Sequence, residues 1–127
     1  MNSLSNKPNQ PKLAMKIEII KIEEHDRGKM FTFSIGDEQR KILYLFHALE
    51  RIQKWRLKPE MIAETMLLPE ETVIGHRMRY IAHKRYDGHL VRAVYEYEEG
   101  IPVLVTVYFP YVDRYFKGGG IYEDKIF

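Results

Sequence analysis

With 127 residues, 45% hydrophobic and 30% charged, the chain is the size of one domain and too short to close two cores. It has no cysteine, which removes a disulfide framework, a thiolate metal site and a cysteine nucleophile together. A net charge of +2 is only mildly basic, so affinity for nucleic acid has to come from local clustering of charge.

Residues 1–14 carry Ser, Asn, Gln and two prolines with little apolar content, too little to offset the entropy of ordering. They predict a disordered tail, with one α+β domain over residues 15–127. The tail lacks the basic start and apolar stretch of a secretory signal. The longest apolar runs, such as Leu43 to Phe46 and Val103 to Phe109, fall far short of the roughly 20 residues that span a bilayer. The expectation is a cytoplasmic protein with no membrane partner.

Lys16 to Glu23 and Met30 to Ile35 are β-rich runs joined by His25-Asp26-Arg27-Gly28, which predicts a hairpin with Gly28 at positive φ. Asp37 suits a helix N-cap. Ile42, Leu45, Phe46, Leu49 and Ile52 then recur at three- and four-residue spacing, predicting a helix that ends near Trp55. Pro59 suits the first turn of a shorter helix carrying Met61, Ile62, Thr65 and Met66 and stopping before Pro69. Three strands follow, about Thr72 to Lys84, Leu90 to Glu98 and Ile101 to Phe109, in an antiparallel meander. Alternation in the last strand puts Val103, Val105, Val107 and Phe109 toward the helices. The predicted order is ββααβββ, followed by an aromatic and charged extension around Gly118-Gly119-Gly120.

On that predicted first helix Arg40, Tyr44, His47, Arg51 and Lys54 fall on one stripe opposite the apolar one. The plain alternative is a solvated helix face. The functional alternative is an RNA-facing site in which the cations neutralise phosphates and the imidazole of His47 moves a proton. Arg77 and Arg79, two apart on the predicted next strand, share a sheet face, and Arg92 lies on the strand after it. Arginine's planar fork suits phosphate oxygens, while edge-strand protection is the structural alternative. Tyr108 closes the last strand, placed either to contact RNA or simply to pack.

No pair among His25, His47, His76, His83 and His89 has helical ligand spacing or an H-E-x-x-H pattern, so no metal site is expected. Gly118-Gly119-Gly120 lacks the Lys-Ser/Thr of a phosphate-binding loop, and no serine-nucleophile motif is present. No cofactor is expected.

His47-Ala48-Leu49-Glu50-Arg51, Leu67-Leu68-Pro69, Val94-Tyr95-Glu96 and Val105-Thr106-Val107-Tyr108, in that order, resemble the prokaryotic domain-of-unknown-function family 4258 over about residues 37–109. The closing stretch Arg114 to Lys125 resembles an extension of archaeal members. The resemblance implies a RelE-like or barnase-like fold, with two helices on an antiparallel sheet, and a toxin role beside a small antitoxin protein. By analogy within that fold it implies metal-independent endoribonuclease chemistry, the ribose 2′-hydroxyl attacking the adjacent phosphate. Carried over residue by residue, it matches His47, Arg51 and Tyr108 as catalytic positions. Family members often continue with an arginine where this chain has Trp55, which leaves Lys54 or Arg56 to substitute.

Three functions follow from this reading. The first is a ribonuclease-like toxin with His47 as acid or base, Lys54 and Arg56 beside Arg51 as phosphate ligands, and Arg77, Arg79 and Arg92 as anchors on the sheet. The second is a non-catalytic module using the same cations to hold RNA or an acidic antitoxin segment. The third is a homo-oligomer, a dimer in its simplest form, joined through the N-terminal hairpin and the tyrosine-rich tail.

Overall fold

The computed structural model describes residues 16–112, 116–117 and 121–122. The expected disordered tail and the Gly118–Gly120 segment lie outside them. β1 (Ile17–His25) and β2 (Gly28–Ile35) form the predicted hairpin. Gly28 serves it by close approach rather than positive φ, since a β-carbon there would collide with the Tyr44 carbonyl. The positive φ of 60° belongs instead to Gly36, in the two-residue turn that leads into β3 (Glu38–Leu45).

β3 corrects the predicted helix start. Residues 38–45 pair with β2 on one side and with β7 on the other, and Asp37 is a turn residue, not an N-cap. Ile42, Leu43 and Tyr44 are consecutive and all buried, as a strand inside a sheet requires; one helical stripe could not bury all three. The helix α1 (Phe46–Lys54) follows without a break, and the Phe46 N–H donates to the Arg27 carbonyl in place of a side-chain cap. α2 (Pro59–Leu67) opens on its proline as expected.

The single strand expected over Thr72 to Lys84 is two. β4 (Glu71–Ile74) and β5 (Tyr80–Tyr86) pair antiparallel across a short 3₁₀ turn, His76–Met78, in which Arg77 and Met78 have φ of 60° and 62°. β6 (His89–Glu98) and β7 (Ile101–Tyr108) complete a seven-stranded sheet of order β1-β2-β3-β7-β6-β5-β4. All pairings are antiparallel except β3 with β7. The order is therefore βββααββββ, still α+β. A separate two-stranded hairpin, β8 (Phe116–Lys117) with β9 (Ile121–Tyr122), follows.

Both helices lie on one face of the sheet. Phe31, Phe33, Ile42, Tyr44, Val91, Ala93, Leu104 and Val107 meet Ala48 and Ile52 of α1 and Ile62, Ala63 and Met66 of α2 there. α2 touches β1 at one edge as well as β5 and β6 near the other, so the sheet curls around the helices. Polar ties fix it. Lys84 reaches the Glu64 carboxylate at 3.5 Å and donates to the Leu68 carbonyl at the end of α2, and the Tyr86 hydroxyl donates to Glu64 at 2.8 Å.

A bulge in β7 corrects the expected alternation. Val94 pairs with Thr106 but Tyr95 with Leu104, so Val105 is the extra residue and the faces exchange there. Leu104 and Val107 face the helices, while Val103 pairs with Leu43 on the other side. Leu43, Ile81, Leu90, Val94 and Val103 are buried on that second face, so the middle of the sheet is buried on both sides.

Candidate functional site

α1 ends without glycine. The Leu57 N–H donates to the Ile52 carbonyl at 2.9 Å and the Arg56 N–H to the Gln53 carbonyl at 3.1 Å, the paired bonds of a Schellman cap. Arg56 takes the left-handed position of that cap with φ 57°. Leu57 then turns inward to pack against the core. The inward leucine and outward cap make an elbow between α1 and α2 on which Trp55, Arg56 and Lys58 are exposed. Trp55 is 40% exposed, and the Lys54 Nζ lies over its ring, 5.3 Å from the centroid.

The elbow is strongly cationic. Between residues 46 and 58, Arg51, Lys54, Arg56 and Lys58 stand against one carboxylate, Glu50. Among the described residues none of these four has a carboxylate within ion-pair distance. By contrast Arg27, Lys29, Arg40, Arg79 and Lys84 each have one at 2.8–3.7 Å. His47, also exposed, lies four residues before Arg51 on the same helix.

A second polar group forms inside the sheet. Glu71 pairs with His83, His83 with Arg92, and Arg92 with Tyr108, so a carboxylate, an imidazole, a guanidinium and a phenol make one row across β4, β5, β6 and β7. Directly paired residues point to the same side, here the face away from the helices. His83 and Arg92 are both fully buried. Burial, and then the charge of Arg92, push the His83 imidazole down to about 3, so it is neutral beside a charged guanidinium.

The sequence-predicted residues therefore divide. His47, Arg51, Lys54 and Arg56 are brought together on α1 and the elbow. Arg40 and Tyr44 leave the expected stripe because they belong to β3. Arg40 pairs with Glu38 at 3.3 Å, while Tyr44 is a core residue whose hydroxyl donates to the Pro59 carbonyl at 2.7 Å. Arg77 and Arg79 do not share a strand face: Arg77 is exposed in the left-handed turn, and Arg79 is bound to Glu96 at 3.3 Å. Arg92 is an interior residue rather than an exposed anchor, because β6 is covered on both faces. Tyr108 does close β7, but it belongs to the Arg92 row, and among the described residues no hydrogen bond joins it to His47, Arg51 or Lys54.

Trp55 and Lys58 were missed as site residues, although a tryptophan between cations was a legible signal. Glu71 and His83 were missed because only strand register reveals the row. Among the described residues no helix is long and apolar enough to cross a membrane, and no group of three or more acidic or histidine side chains could hold a metal ion. Compared with protein-family models, with curated proteins and with solved structures, the chain gives no match.

Proposed function

We propose that the chain is an RNA-interacting protein of the endoribonuclease-toxin kind, and that it engages RNA through the elbow between α1 and α2. The class comes from the resemblance to family 4258. The observation that carries the binding reading is the set of four cations within residues 51–58 that have no carboxylate partner among the described residues. Like charges this close repel one another, and a polyanion relieves that repulsion while releasing its own counterions. An acidic antitoxin segment would compete for the same cations.

Fluorescence polarisation with a labelled RNA at 50 and 200 mM salt tests this reading. Affinity is expected to fall with salt, with a log–log slope of about −0.7 per phosphate held on a single strand. Lys54→Glu with Lys58→Glu should flatten that slope. Binding that ignores both salt and these substitutions sinks the proposal.

The buried row favours a second reading, in which the protein also cleaves RNA. The ribose 2′-hydroxyl would attack the adjacent phosphorus, giving its proton to water, and the P–O5′ bond would break as the 5′-oxygen takes up a proton. The guanidinium and the phenol stabilise the phosphate as charge builds on it. His83, held at about 3, is too weak a base to take the 2′-hydroxyl proton and serves only to orient the row. Since His83 and Arg92 are fully buried, this chemistry requires their face of the sheet to open. Incubation with RNA in excess EDTA separates the readings. Fragments ending in 2′,3′-cyclic phosphate that disappear in Tyr108→Phe support cleavage, while bound but intact RNA leaves binding alone.

A further inference from the structure

We infer that the elbow reads unpaired bases: Trp55 stacks on a base of single-stranded RNA while Arg56 and Lys58 hold the flanking phosphates. The inference rests on the RNA-binding reading above and adds the form of RNA that is recognised.

Two independent observations carry it. Trp55 is the single tryptophan of the chain, and at the end of α1 it keeps 40% of its surface exposed, while Leu57 two residues on is the elbow residue that packs against the core. An indole with an accessible flat surface between cations is the recurring platform for single strands, because every base offers a π-face once its neighbours release it. In a duplex those faces are occupied by stacked pairs, so the platform selects single strands. The Lys54 Nζ lies over one face of the indole, so a base stacks on the opposite face with a third cation held against the same ring.

The second observation is the backbone of Arg56. Its φ of 57° is the left-handed conformation in which glycine is the usual residue at a Schellman cap, and any β-carbon there destabilises the turn. Among the described residues Arg56 has no carboxylate partner that would compensate from within the fold. Arg77, Met78, Asp87 and Glu99 also carry positive φ, so the strain by itself names no ligand. What sets Arg56 apart is that the cap holds it beside Trp55, where a phosphate flanking a stacked base would lie.

The experiment uses the tryptophan as its own reporter. The full-length protein is titrated with a 12-nucleotide single-stranded RNA and with the matched duplex, following indole emission and polarisation of a labelled strand. The expected result is quenching by the single strand and none by the duplex. Trp55→Ala should weaken single-strand binding about tenfold to a hundredfold without changing duplex affinity, and Trp55→Phe should restore most of the loss. Arg56→Gly should raise the melting temperature while weakening single-strand binding several-fold.

Salt-sensitive binding with no quenching, or a single-strand affinity that Trp55→Ala leaves unchanged, overturns base stacking and leaves the RNA-binding reading standing. A more stable Arg56→Gly variant with unchanged affinity overturns the role given to Arg56. Absence of binding to either RNA overturns both readings.

Discussion

Arg92 and Arg56 lie at opposite extremes of what a guanidinium can experience in this protein. Arg92 sits within the sheet with none of its surface exposed, next to an imidazole that its charge helps to keep neutral. Arg56 stands in solvent on a strained turn among cations. Inside, the desolvated charge is tied to folding and pH, and removing it leaves a cavity and a broken polar row. Outside, the charge is screened and contributes almost nothing to folding, so its effect has to be sought in association. Mutations at the two places should consequently separate stability from binding.

The sharpest way to break this contrast is Arg92→Ala. Truncating a buried charged residue should cost about 3–5 kcal/mol in urea unfolding, and Arg92→Met, which keeps the volume, should recover a large part. Equal losses in both variants would mean that the charge itself is required. Acid comes next. Because His83 is depressed to about 3, the unfolded chain takes up a proton near pH 6.5 while the folded chain does not. The unfolded state then binds more protons, so stability falls as pH drops through that window, by about 2–3 kcal/mol at pH 4.5 relative to pH 7. His83→Gln should flatten this part of the pH profile, and an unchanged profile would contradict the buried neutral imidazole.

A smaller loss, about 1–2 kcal/mol, is expected for Tyr44→Phe, which removes the hydroxyl bonded to the Pro59 carbonyl at the start of α2. Differential scanning calorimetry resolves a change of that size. The smallest effect on folding belongs to Lys54→Glu with Lys58→Glu, expected within about 0.5 kcal/mol of the parent. The same variant should elute from heparin at clearly lower salt. A melting temperature that drops with the elution position would instead make the elbow part of the scaffold.

The parts of this fold visible in the sequence are those governed by local chemistry. The β1–β2 hairpin, the proline-opened α2 and the turns at Asp87-Gly88 and Glu99-Gly100 follow from residues within a few positions of each other. What escaped depends on distant pairing. Residues 42–46 fit a helical spacing and also form the continuous apolar run of an interior strand, and only the neighbour β7 decides between them. The bulge at Val105 inverts an alternation that reads cleanly in sequence. The candidate site divides in the same way. Arg51, Lys54 and Arg56 cluster along the chain and were legible, though Lys58 beside them was not picked out, whereas Glu71, His83, Arg92 and Tyr108 become a row only when four strands are in register.

The parallel pairing of β3 with β7 also has a kinetic consequence. β1, β2 and β3 form one meander of adjacent strands, and β4 to β7 another, each able to assemble from short-range contacts. Only Leu43 with Val103 and Tyr44 with Leu104 are in register across the junction, and about 60 residues of chain separate each pair. Closing that loop is the entropically expensive event, which predicts that the seam forms in the rate-limiting step: Leu43→Ala is expected to slow refolding more than it speeds unfolding.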